Sequence, residues 1–414
     1  MEATSVGSGC GWYDLPVELQ DFILQLVVQG GVLDAEFEAP WVVMEVVLIF
    51  VCRSWKERKI FWQNRDGSNL PKNRTWTAKA AALGNFPLLK WLREKGCPWD
   101  RNTCCFAARN DDFEMLKWVR EKGCPWDTRT TAQAAQSGDL EMLKWAREQD
   151  CPWDKFTCAF AAQEGYLEVL KWAREEGCRW DKFTCTFAAQ QGHLEVLKWA
   201  REKGCPWDRN TCCAAARNGQ LETLSWAVKN GCIMDEWVTL SAAEAGHIEV
   251  LEWLRENNCP WGAAVSAGAA GRGLLKTLMW LRENGCPWGE TTCANAAWSG
   301  NLEALKWARE NGCPWSETTC AAAAGEGHLE VLKWARENGC SWNADTCSNA
   351  AAGGHLEALK WARENGCEWN TQVSFSAAAG GHLELLKWAR ENGCPIDDFS
   401  EYMLSAAATQ PIQE

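Results

Sequence analysis

The chain has 414 residues, 47% of them hydrophobic, with a formal net charge of −13 and a pI near 5.1. So acidic a chain lacks the basic footprint that nucleic acid or an anionic membrane surface requires, and its longest apolar run, Trp41 to Val51 broken by Glu45, is too short to span a bilayer. The cysteines number 23, an odd count, and 19 of them recur in phase with an internal repeat; free cysteine packs as a small hydrophobe, so the expected compartment is the reducing cytoplasm or nucleus. No basic start followed by an apolar run and a small-residue cleavage site opens the chain, so no secretory leader is expected.

Residues 1–70 show no repeat. Leu15-Pro16-x-Glu18-Leu19 is followed there by Ile23-Leu24, and later by Val51-Cys52-Arg53-x-Trp55 and Phe61-Trp62. The span from Leu15 to Trp62 resembles an F-box at both ends. The resemblance implies that Leu15, Pro16, Leu19 and Ile23 contact the adaptor subunit of a cullin–RING ubiquitin ligase, with Cys52, Arg53 and Trp55 in a later helix. The middle, Gln29 to Pro40, departs from the pattern with Gly30-Gly31 and an acidic stretch. The other reading of the segment is a helical cap whose Leu and Val cover the first repeat, and both readings stand.

From about Thr75 the chain repeats every 27 residues, marked by twelve tryptophans from Trp91 to Trp388. A strict period of this size predicts a stacked array in which each unit touches only its neighbours. The array is expected over 75–408, with a polar tail at 409–414. Each unit opens with a short helix A around an Ala-Ala pair, as in Ala107-Ala108 and Ala296-Ala297. A Gly precedes helix B in eleven copies, Asp111 being the exception. The next slot holds Asn85, Asp112, Asp139 or Asn301, which suit an N-cap, and also all five histidines: His193, His247, His328, His355 and His382.

Helix B carries Leu two positions before its Trp, an apolar residue five before it and Ala, Val or Leu one after it. So wide an apolar surface predicts burial on several sides, with the Trp mainly core. Glu four before, Lys one before and Glu three after, as in Glu168, Lys171 and Glu175, predict i,i+3 and i,i+4 pairs that neutralise the row of Lys and Arg. The helix ends in Gly, replaced by Asp150 and Asn258, which predicts a left-handed C-cap. Cys-Pro-Trp-Asp follows, as at Cys205 to Asp208, with Asp placed to cap the next helix A. The last unit has only helix A, from Ser400 to Ala408.

Ala-Ala-x-x-Gly-His-Leu-Glu-Val-Leu-Lys with the closing Asn-Gly-Cys or Lys-Gly-Cys (Ala188 to Cys205, Ala323 to Cys340) resembles the core of an ankyrin repeat, over residues 75–408. Short Trp- and Cys-rich repeats of this kind look like those of brown-algal and giant-virus ankyrin-type proteins. The ankyrin unit is about 33 residues and opens Thr-Pro-Leu-His; here Thr-Cys stands instead (Thr157-Cys158), and the missing residues fall where the protruding hairpin would be. A tight Pro-Trp-Asp turn is expected in its place, the turn Trp supplying the lost packing. The fold class is therefore all-α: an ankyrin-like solenoid of about twelve helix–turn–helix units behind an N-terminal helical segment.

The sequence has no phosphate-binding loop, zinc-protease motif or dinucleotide fingerprint. Cys-x6-Cys pairs such as Cys97/Cys104 and Cys151/Cys158 are spaced too widely for tetrahedral zinc, and the second position is Thr131, Thr239, Ser266 or Ser374 elsewhere, so packed thiols are expected, with no metal and no cofactor. The variable slots flank Ala-Ala and follow Pro-Trp-Asp: Phe106, Arg109, Asn110, Phe160, Gln163, Phe187, Gln190, Arg217, Trp237 and Trp298. Within them the stretch Phe106–Arg217 alternates aromatic residues with Arg101, Lys155, Lys182 and Arg209, the composition of interface anchors. The expectation is a monomeric, non-enzymatic scaffold for a protein partner, in its sharper form a ligase substrate receptor. A structural spacer with drifting surface positions and a metal- or thiol-dependent protein are the alternatives.

Overall fold

The computed structural model describes residues 75–409, so the F-box-like reading of Leu15, Pro16, Leu19 and Ile23 lies outside the described residues. Those described form an all-α solenoid of helix pairs. Thirteen A helices, from Thr75–Ala82 to Asp398–Thr409, alternate with twelve B helices of nine residues each, from Phe86–Glu94 to Leu383–Glu391. The last A helix starts at Asp398, two residues before the expected Ser400. The described residues fall into two compact units, 75–188 with 195–206, and 189–194 with 207–409.

Nine-residue helices are too short to persist alone in water, so the array exists through packing between them. Each A helix buries small residues, for example Thr157, Cys158, Ala159, Ala161 and Ala162. With so little bulk between them, successive A helices within a unit lie against one another along their length, whereas successive B helices meet at only a few points. Each B helix buries a narrower stripe, Val169, Leu170 and Ala173 in Leu167–Glu175. The helix ends are closed as the sequence predicts. Asp100, Asp127, Asp154 and Asp208 accept the amide two residues on, and Asp111, Asp150 and Asn258 adopt φ of 58°, 59° and 57°.

Two expectations about the B helices need correction. All twelve ladder tryptophans, Trp91 to Trp388, are half-buried rather than core. Each turn Trp in turn sets its ring edge-on to the ladder Trp of the next B helix, as in Trp99 on Trp118, Trp153 on Trp172 and Trp288 on Trp307, with centroids 5.9, 5.9 and 5.8 Å apart. Eleven ladder tryptophans are followed two residues on by an Arg, Val228 being the exception, and in nine of these copies the Arg lies on the turn Trp rather than pairing with a Glu of its own helix. The guanidinium covers the turn Trp (Arg120 over Trp126 at 4.3 Å, Arg282 over Trp288 at 4.3 Å), and it donates to the carbonyl that follows the cap (Arg120 to Cys124 O, 3.2 Å). The Lys does pair as expected, for example Lys171 with Glu168 at 2.7 Å.

The N-cap slot also does more than cap. Asn85, Asp112 and Asp139 accept the amide three residues on, but Asn301, His247, His328, His355 and His382 make no such bond. Instead the histidines reach back one repeat: Nε2 of His247 and His382 donates to the carbonyls of Arg217 and Ala352 at 3.0 Å. Each ring lies over the glycine of the previous repeat. A Cβ at Gly354, φ +75°, would sit 2.5 Å from the His382 ring. That glycine is required both by its backbone angle and by lack of room.

All 21 described cysteines are free, and all but Cys213 are buried. The thiols that meet are those 20 residues apart, not the Cys-x6-Cys pairs: Cys158 hydrogen-bonds Cys178, and Cys320 hydrogen-bonds Cys340. Thr239 and Ser266 fill the same slot and donate to the sulfurs of Cys259 and Cys286 at 3.2 and 3.4 Å. The second thiol of each pair donates onward to the carbonyl of the preceding turn, Cys178 to Asp154 at 3.3 Å and Cys340 to Ser316 at 3.2 Å. Burial pushes Cys151 up to about 12 and Cys97 up to about 11, so these thiols are protonated, unreactive parts of the frame.

Candidate functional site

The B helices and turns spend their rings and charges on one another. The outer face of the A helices does so only in part, since its slots vary from unit to unit and several of its rings stay exposed. In the first unit, Lys155–Gln163 and Lys182–Gln191 carry a ridge of four phenylalanines. Phe160 and Phe187 stack at 6.3 Å with planes 12° apart, and Phe156 and Phe183 flank them at 5.9 Å. Phe156 and Phe183 are 39% and 36% exposed, and with Phe160 and Phe187 they form a contiguous aromatic patch, the kind of surface that marks an interaction site. Lys155 lies over Phe156 and Phe183 at 5.5 and 5.3 Å and pairs with Asp181 at 2.7 Å.

In the second unit, Gln190, Arg209, Asn210, Cys213, Arg217 and Trp237 line an open groove of about 550 Å³. Trp237 is 58% exposed. Both arginines are already matched, Arg209 by Asp235 at 3.3 Å and Arg217 by Glu244 at 2.8 Å. Burial pushes the Cys213 thiol up, so it lines the groove as a neutral group. A second groove of about 500 Å³ opens further along the same unit between Trp298, Glu317, Asp345, Asn295, Asn343 and Asn349.

Of the positions singled out from sequence, the structure brings Phe160 and Phe187 together in the ridge and Gln190 and Arg217 together in the first groove. Phe106 is half-buried and Arg109 exposed on Arg101–Arg109, and Gln163 bonds the neighbouring Glu164 at 2.9 Å. Sequence reasoning missed Phe156 and Phe183, although Lys-Phe-Thr-Cys recurs at 155–158 and 182–185 and no other unit has it. It also missed a change of sign. The A helices from Thr75 to Arg217 hold eight basic and no acidic side chains, whereas those from Glu236 to Thr409 hold seven acidic and no basic ones.

The basic half is largely compensated in place. Arg101 and Arg129 face Asp127 at 3.8 and 2.8 Å, and the Arg129 guanidinium holds the Asp127 carboxyl below the usual carboxylate range. Among the described residues no group of three or more His, Cys, Asp and Glu could hold a metal, and no helix is long and apolar enough to cross a membrane.

No family model matches the chain, and no curated protein matches it. Among solved structures, the human ASB11 ankyrin repeat domain is similar at 16% identity and a TM-score of 0.33, over 38% of this chain and 83% of that one. The pentatricopeptide repeat protein PPR10, solved in complex with an 18-nt psaJ RNA element, is similar at 14% identity and a TM-score of 0.35, over 87% of this chain. This chain spans 65% of the length of that structure. Both are helical repeat proteins, as this chain is.

Proposed function

We propose that the chain is a non-enzymatic scaffold whose A-helix face holds a protein partner, and that residues 15–62 attach it to the adaptor of a cullin–RING ubiquitin ligase. The single observation that carries the first half is the exposed Phe156–Phe160–Phe183–Phe187 ridge, a contiguous aromatic surface with a basic rim on an otherwise small-residue face. Large rings at low conformational cost are what interface hot spots use. Phe106, Arg109, Phe160, Gln163, Phe187, Gln190 and Arg217 are the contacts expected from sequence, and Phe156, Phe183 and Trp237 join them. The second half rests on Leu15, Pro16, Leu19 and Ile23 alone.

The test is quantitative affinity purification of three forms: the full chain, the chain without residues 1–70, and the full chain with Phe156→Ala and Phe183→Ala. The scaffold reading expects a set of proteins that the double variant loses and the truncation keeps. It is overturned if the double variant, folded by circular dichroism, retrieves the same proteins. The ligase reading expects cullin and its adaptor with the full chain and not with the truncation; their absence from the full chain ends it.

A further inference from the structure

We propose that the groove at Trp298, between the A helices Glu290–Trp298, Glu317–Gly325 and Ala344–Ala352, takes a basic segment of a protein partner, with one lysine or arginine side chain against the Trp298 ring and others against the carboxylates of Glu317 and Asp345. This rests on the scaffold reading and adds the chemistry of what one part of the face accepts.

Three observations converge on it. First, Trp298 is 55% exposed, and among the described residues neither a ring nor a cation stacks on it. Nine turn tryptophans elsewhere carry an arginine over the ring at 4.1–4.7 Å. Trp298 offers the same attractive face, strongest of the aromatic side chains for a cation, without its cation.

Second, the groove is rich in acceptors. Asn295 and Asn349 each donate one amide N–H to the carbonyls of Ala267 and Ala321, at 3.2 and 3.4 Å, and their side-chain oxygens are open to a donor. Glu317 and Asp345 have no basic group within ion-pair distance among the described residues. The donors that such a surface lacks are those of ammonium and guanidinium groups, which carry no acceptor of their own.

Third, the contrast with the Trp237 groove excludes a general stickiness of the face. There Arg209 and Arg217 are satisfied by Asp235 and Glu244, so charge complementarity is used up internally. At Trp298 it is open. Ala294, Ala321 and Ala322 form the low floor, which leaves about 500 Å³ for a chain to enter.

The experiment titrates the full chain against a fluorescein-labelled peptide of Ala, Leu, Lys and Arg, and against its counterpart with Glu in place of Lys and Arg. The readout is fluorescence anisotropy at about 150 mM salt, where diffuse surface attraction is screened beyond about 8 Å. The basic peptide is expected to bind and the acidic one not. The paired change Glu317→Gln with Asp345→Asn, and separately Trp298→Ala, should each weaken binding about tenfold.

The control removes equal charge from exposed B-helix positions, Glu310→Gln with Glu337→Gln, and should weaken binding less than about twofold. The proposal is overturned if the basic peptide does not bind, if the acidic one binds as well, or if the control loses as much as the groove variant. These positions are solvent-exposed or half-buried, and unchanged thermal melts verify that each variant is folded. A chain that holds its partner through the Phe183 ridge yet ignores the basic peptide keeps the scaffold reading and loses this one.

Discussion

The turn side and the A-helix side of this array use the same residue types to opposite ends. On the turn side, Trp and Arg recur every 27 residues, and each ring is met by another ring on its edge and a guanidinium on its face. On the A-helix side, Trp237, Trp298, Phe156 and Phe183 occur once or twice and leave much of their surface in water. An exposed-looking tryptophan is therefore framework when its period brings it a partner, and a candidate contact when it breaks the period. The chain supplies its own control. Where the turn Trp is replaced by Met234, the arginine six residues earlier is replaced by Val228. Both members of the stack are lost together there, whereas at Ile396, the other turn without Trp, the arginine stays as Arg390 and meets Glu401 at 3.5 Å instead.

That contrast can be broken most severely by alkali. The frame includes buried thiols whose folded pKa is raised by burial, as at Cys97 and Cys394, both pushed to about 11, and Cys151, pushed to about 12. A thiol raised in the folded state contributes stability that is full below its unfolded value, about 8.5, and that is lost as pH rises toward the folded value. Urea midpoints should hold steady up to about pH 8 and fall steeply between about pH 9 and 11, and replacing Cys151 with Ser should make the fall shallower. A midpoint unchanged at pH 10.5 in reducing buffer would show that the thiols do not carry the frame.

Next in size is the turn stack. Trp180→Ala removes a half-buried ring, its edge contact with Trp199 at 5.8 Å and the Arg174 guanidinium's platform. It should cost about 2 kcal/mol in local stability, read as faster amide exchange in the neighbouring repeats. The smallest effect is expected on the other side. Phe183→Ala should change stability by less than about 0.5 kcal/mol, since its ring is one of the exposed ones. If Phe183→Ala destabilises as much as Trp180→Ala, the ridge is framework and the distinction between the two sides is wrong.

Most of the fold was legible because the repeats act as an alignment within one chain. Slots that never vary were expected in the core, and Leu170 and Ala161 are found there, although the equally invariant ladder Trp is only half-buried. What could not be read is contact that crosses a seam. Arg174 looks in sequence like the partner of a Glu on its own helix. The left-handed cap at Gly177, φ +83°, turns the chain back so that Trp180 arrives under the guanidinium instead. The thiols are buried and free as expected, but which of them meet could not be read, since Cys151 and Cys158 are close in sequence while the sulfur that meets Cys158 belongs to Cys178, beyond the whole of a B helix. For the site, variability pointed to the A-helix face, where Phe160 stacks on Phe187 and Gln190 lines one groove with Arg217. It could not show which charges were already answered, because Asp181 and Asp235 are caps in sequence and counter-ions only in three dimensions.

The fit of each N-cap side chain over the glycine of the repeat before it has a consequence for how such an array can change length. Tyr166 covers Gly138, Gln220 covers Gly192 and His382 covers Gly354, so these seams join residues 28 positions apart. Excising 27 residues between two such seams brings another such side chain over another glycine and leaves a seam of the same kind. Excising a length that is not a multiple of 27 takes these side chains out of register with their glycines. The array can thus be shortened or extended in whole units, as a ruler is cut at its marks, while the A-helix slots are dealt anew with each unit gained or lost.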